Sequence, residues 1–181
     1  GHEISHFLGK EPELSIWKDR SVDSSWLVQS SLFELGDYLE LNSSAAKSNN
    51  GSFNAIFSDT TISIGNAGGY NTSTSDIINY NFTSIPNVCK IGTYIGTGDT
   101  GNYVDCGFKA AWVMIKNLTG TGNWGIHDSS RPDSFIFASL NNAETSFAAL
   151  EFVDNGFVML DSNANRNTLN DQYIFMAYAE G

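Results

Sequence analysis

The chain has 181 residues, 41% of them hydrophobic and 13% aromatic, with 9 basic against 20 acidic side chains for a net charge of −11. The charged fraction is only 16%, and Asn, Ser, Thr and Gly fill the gap, which favours turns and hydroxyl-rich strands over long helices. The negative balance argues against nucleic acid, whose binding needs Lys and Arg on phosphate, and against anionic lipid; no run approaches the roughly 18 apolar residues of a membrane span.

In chain order, the opening GHEISHFLG reads as a strand, and the closing YIFMAYAEG as another. A chain that begins and ends on strands is expected to be a piece of a longer polypeptide. Leu14 and Ile16 alternate with Glu13 and Ser15, a half-buried strand spacing. Punctuators follow at Asp23-Ser24-Ser25, at Asn49-Asn50-Gly51 and at the glycine-rich turn of residues 65–69. Pro86, in Ser84-Ile85-Pro86-Asn87, cannot donate to a ladder and marks a boundary. The segment Lys90–Gly98 reads as a strand and a glycine turn, and Trp112-Val113-Met114-Ile115 as a strand covered on both faces. Asp154-Asn155-Gly156 suits a tight hairpin. The best helical candidate, Ala143–Leu150, is long enough for one turn only.

The two halves repeat. At an offset of about 98 residues Gly9 meets Gly107, Lys18 meets Lys116, Asp19 meets Asn117 and Trp26 meets Trp124. With small shifts the match continues through Leu41-Asn42 on Leu140-Asn141, Phe57 on Phe152, Ile62 on Phe157 and Tyr80 on Tyr178. About seven short strands per unit at this spacing predict an all-β chain of two tandem antiparallel β-sandwiches, over residues 1–86 and 87–181. Unit one has nothing to match the opening strand at Lys90–Gly98. Its sheet edge is therefore expected to be filled by residues upstream or by a neighbouring chain, with a homotrimer as the assembly.

The run KIGTYIGTGDTGNYVDCGFKAAWVMIKNLTGTGNWGIHDSSRP, followed by SLNNAET, FVDNGFVM and DQYIFMAYAE, resembles a repeat of tail-fibre and other virion proteins of marine tailed bacteriophages. The resemblance covers essentially the whole chain and implies a concanavalin-like jelly-roll module in tandem. It also implies location in the virion, with other virion proteins or copies of the chain as partners. Unit one departs from the pattern by lacking the opening strand and by carrying Trp17-Lys18-Asp19 for the usual Ile-Lys-Asn. That family has no agreed catalytic residues, so none is carried over.

The residues themselves offer little chemistry. Trp26 and Trp124 recur at one place and could stack on a host-surface sugar, although a repeated tryptophan is more often a core filler. Lys18 and Lys116 recur too, but a catalytic lysine needs a dry pocket that nothing in the sequence indicates. His127-Asp128-Ser129-Ser130 places three triad residue types side by side, yet neighbours on a strand point to opposite faces. Residues 161–167 spell a faint calcium-loop pattern with Arg166 where such a loop wants glycine. Cys89 and Cys106 could flank a hairpin and form a bridge, but read first as free thiols, outside any zinc spacing. The expectation is a structural and adhesive virion module, not an enzyme and without cofactor or metal, with a lectin-like glycan-binding module as the alternative and a polysaccharide-cleaving enzyme behind both.

Overall fold

In the computed structural model residues 2–65, 71 and 73–181 are described, and they form an all-β structure in which no described residue is helical. The chain divides into two compact units, unit 1 over Gly1–Asn42 and Lys47–Thr83, and unit 2 over Ser43–Ala46 and Ser84–Gly181.

Unit 1 holds β1 (His2–Ser5), β2 (Leu14–Asp19), β3 (Leu27–Gln29), β4 (Asp37–Glu40), β5 (Ser48–Asn49), β6 (Ala55–Phe57), β7 (Thr61–Ile64) and β8 (Ile77–Phe82). They make two antiparallel sheets, β1-β7-β6 and β5-β4-β3-β2-β8. Trp17, Leu27 and Ile62 are buried between them, with Tyr38, Phe57 and Ile77 packed against the cluster. Burying rings and branched side chains of this size is the main force that closes a sandwich.

Unit 2 holds β9 (Cys89–Ile95), β10 (Tyr103–Asp105), β11 (Ala110–Asn117), β12 (Gly125–Asp128), β13 (Ser134–Phe137), β14 (Thr145–Ser146), β15 (Leu150–Val153), β16 (Gly156–Met159) and β17 (Gln172–Ala179). Its sheets run β10-β16-β15 and β14-β13-β12-β11-β17-β9. Val113 and Ile115 of β11, Phe175 of β17, and Phe157 and Met159 of β16 share one core. That cluster takes side chains from both sheets, as a sandwich requires.

Matching β1–β8 to β10–β17 gives the same strand order in each sheet; among the described residues β9 has no counterpart in unit 1. The ladders refine the sequence alignment. Phe57 opposes Ile62 as Phe152 opposes Phe157, in keeping with the offset read from the sequence. Lys18 opposes Ile78 as Lys116 opposes Ile174, so Tyr80 corresponds to Met176 and not to Tyr178. Leu41 and Ala138 donate to the carbonyls of Trp26 and Trp124 respectively, which makes Ala138, not Leu140, the partner of Leu41. Both errors arose from aligning like residues across a loop of different length.

The segment 143–150 is not helical. It carries the two-residue β14, paired to Ser134 and Phe135, and runs straight into β15. The turn expected over residues 65–69 lies, Gly65 apart, outside the described residues.

Candidate functional site

The recurring lysines hold loops. The Lys18 ammonium donates to the Ser24 carbonyl and, at 3.4 Å, to the Ser24 hydroxyl. Lys116 makes the equivalent bond to the Gly122 carbonyl at 2.6 Å and adds the carbonyls of Ser44 at 3.1 Å and Ala45 at 2.7 Å. Its side chain is 0% exposed. Three acceptors match the three donors of an ammonium, which is how an unpaired cation is tolerated inside. Burial still lowers its pKa to about 8. Asp19 and Asn117, the next residues, both bend the chain back. Asp19 Oδ1 accepts from the Ser21 N–H at 2.8 Å, and Asn117 Oδ1 accepts from the Thr119 and Gly120 N–H groups at 3.0 and 2.8 Å.

His127 sits on β12 opposite Val113, 4% exposed, beside the Phe135 ring at 5.0 Å between centroids. Desolvation, reinforced by Arg166, lowers its pKa to about 3, so the ring is neutral. Asp128 turns elsewhere and is bound by Arg131 at 3.0 Å from Nε and 2.6 Å from Nη2. The structure thus separates the first two residues of the His127–Ser130 run.

Arg166 is 2% exposed and lies 5.0 Å over the Phe135 ring. Its guanidinium forks onto Asp161, with Nε to Oδ1 at 2.9 Å and Nη2 to Oδ2. Asn163 Oδ1 accepts from the Asn165 N–H at 3.0 Å. The run that resembled a calcium loop is therefore closed by an arginine on its first carboxylate, and the described residues hold no cluster of three or more metal-ligating side chains. Sequence reasoning treated Arg166 only as a departure from the loop pattern; its burial could not be read without knowing that Phe135 lies above it.

Trp124 is 2% exposed, which leaves its ring no face for a sugar. The expectation of a glycan contact there is corrected: the tryptophan following the loop is core in unit 2. Trp26 is half-buried. Cys89 and Cys106 are both free and buried, and desolvation pushes the Cys106 thiol up to about 12, the inert end of thiol behaviour.

Each unit carries an open groove. One, of about 210 Å³, is lined in unit 1 by Glu11, Ser31, Glu34 and the residues of β6. The other, of about 360 Å³, is lined in unit 2 by Lys109, Ser129, Asp133 and Leu150–Phe152 of β15.

A family model described as Domain of unknown function (DUF7483) matches residues 1–181. No curated protein matches the chain, and no solved structure does.

Proposed function

The chain belongs to the DUF7483 family, and within it we propose a structural and adhesive module of a virus particle, part of a tail fibre or similar host-contacting appendage of a tailed bacteriophage. The observation that carries this reading is where the chemically able side chains are spent. Lys116 caps three loop carbonyls, His127 is buried and neutral, and Arg166 is locked on Asp161. A module whose polar interior is used to fix loops suits a part that must keep its shape. The equal strand order of the two units further supports tandem copies of one module, as a fibre built by repetition would use. Its partners are other virion proteins or copies of itself, in a homotrimer.

A lectin-like role is the second reading, favoured by the open grooves in both units and by Trp26, which is only half-buried. Antibodies raised against the chain test the first reading on purified particles of the virus that encodes it. Gold label on an appendage, together with blocked adsorption to the host, is the expected result. Particles that lack the chain would overturn it. Binding of the isolated chain to a glycan array, with Trp26→Ala abolishing it, would favour the second.

A further inference from the structure

The two grooves occupy the same place in the fold. In each, one wall is the stretch before β2 or β11 (Glu11, Lys109), a second is the β3–β4 or β12–β13 connection (Ser31 and Glu34, Ser129 and Asp133), and the third is β6 or β15. Both β6 and β15 end their sheets. Antiparallel pairs alternate between bonded and non-bonded residues. Gly65 donates to the Asn54 carbonyl at 2.8 Å and Ser58 to the Thr61 carbonyl at 2.9 Å, so the main-chain N–H and C=O of Ala55 and Phe57 turn away from β7. Leu160 donates to the Ala149 carbonyl at 3.1 Å, which by the same alternation turns those of Leu150 and Phe152 away from β16. No residue of β7 or β16 lines either groove. Each groove therefore has an unpaired strand edge as its wall.

The side chains around that edge differ between the units, with Glu11 against Lys109 and Ile56 against Glu151. The main-chain edge is what they share, and main-chain edges read strands. Charge narrows the occupant. Asp37 is paired with Lys47 at 2.5 Å and Lys109 with Glu180 at 3.0 Å. Among the described residues no cation pairs with Glu11 or Glu34 in one groove, or with Asp133 or Glu151 in the other. Two uncompensated carboxylates remain in each. A chain of net charge −11 is a poor occupant for such a slot, and a basic one is a good occupant.

We propose that each unit binds an extended Lys- or Arg-bearing peptide segment of a partner protein, which adds as a strand to the free edge of β6 in unit 1 and of β15 in unit 2. This does not depend on the virion reading. Both edges are short, which limits the contact to a few main-chain bonds and makes the binding weak and reversible.

The test uses the full chain, ¹⁵N-labelled, and a blocked peptide of alternating lysine and valine. The amides of Ala55, Phe57, Leu150 and Phe152 are expected to shift and to exchange more slowly with solvent. The same peptide N-methylated throughout keeps its charge but cannot donate, and should bind about tenfold or more weakly. Replacing Glu11→Gln and Glu34→Gln together should weaken only the unit 1 site, by about two- to fivefold or more, in line with exposed charge pairs. Ala55→Pro removes one outward N–H without touching the β7 ladder, and should weaken that site with the fold retained. Equal binding of the N-methylated peptide would reduce the grooves to charge alone and overturn the proposal. So would a neutral oligosaccharide such as maltohexaose shifting these amides while the peptide leaves them unmoved.

Discussion

Tyr94 of β9 stacks on Tyr173 of β17, with ring centroids 5.0 Å apart and planes 11° from parallel. The Tyr94 hydroxyl then donates to the Arg166 carbonyl at 2.6 Å. One side chain thus ties β9 to the core and to the loop below it. Tyr94→Phe keeps the stack and leaves a buried carbonyl unpaired, at a cost of about 1–3 kcal/mol. Tyr94→Ala empties the site and should cost about 3–5 kcal/mol. Urea unfolding of both variants checks the order; equal costs would mean that the stack contributes nothing beyond the hydrogen bond.

Lys116 and Lys18 stand at matched positions and should not be matched in energy. Lys116→Met strips one donor from each of three carbonyls in a buried setting, so we expect a loss of about 2–4 kcal/mol. Lys18 is half-buried and caps Ser24 alone, and Lys18→Met should cost about 1 kcal/mol. The pH dependence has a definite sign. The folded-state pKa of Lys116, about 8, lies below the ordinary 10.5, so the unfolded chain holds the proton more tightly between those values. The parent should gain stability over Lys116→Met as pH rises from about 8 to 10.5, by about 1.4 kcal/mol per unit at most. A flat difference across that window would sink the assignment.

His127 gives the opposite end of the pH scale. Its folded-state pKa is about 3 against an ordinary 6.5, so the unfolded chain takes up a proton that the folded chain refuses. The stabilisation is complete above about pH 6.5 and is lost as the pH falls toward 3. His127→Gln installs the residue that unit 1 carries at the matched position, Gln29. Chemical denaturation at pH 7, 5.5 and 4.5 should show the parent losing about 1.4 kcal/mol per unit below 6.5 that the variant keeps. Parallel acid limbs in the two proteins would show that His127 is not the titrating group.

Close backbone approach dictates glycine at position 96. A Cβ on Gly96 would lie 2.0 Å from the Thr168 carbonyl oxygen, whereas one on Gly51 would meet nothing within 4 Å. Gly96→Ala must push the β9 turn off the loop before β17 and should cost at least about 3 kcal/mol. Gly51→Ala should stay within about 0.5 kcal/mol. A tolerated alanine at Gly96 would mean the two segments separate readily.

The strands were legible because period-two alternation and Asn/Gly punctuation are local. Leu14 and Ile16 are buried on β2 as the alternation predicts, but Ser15 and Trp17, of the opposite parity, are buried too, so β2 is covered on both faces. What the sequence hid was nonlocal. Nothing near Arg166 in the chain announces Phe135 or the burial of the guanidinium. The burial of Trp124 but not of Trp26 depends on surroundings that the matched sequence does not show. The grooves could not be read either, since their walls come from three separate stretches and one wall is main chain.

The edge of β8 bears on the homotrimer. Arg20 donates to the Asp76 carbonyl at 2.8 Å, and alternation along the β2–β8 ladder turns the main-chain groups of Ile77, Asn79 and Asn81 outward, as those of Tyr173, Phe175 and Ala177 turn toward β9 in unit 2. The side chains are not alike. Asn79 and Asn81 replace Phe175 and Ala177, and are bound in a chain in which the Ser15 hydroxyl donates to Asn81, Asn81 to Asn79, and Asn79 to the Ile16 carbonyl. A strand added here would meet amides, not an aromatic core, so its hold must come from the main chain. If three chains assemble through this edge, sedimentation should give a trimer whose mass falls to the monomer with Asn81→Pro, which removes an outward N–H while sparing the β2 ladder. The side-chain bonds lost with Asn81, including the acceptor of the buried Ser15 hydroxyl, should cost about 1–3 kcal/mol. A trimer that survives Asn81→Pro would move the interface elsewhere. A parent chain that sediments as a monomer at every concentration would remove the trimer altogether.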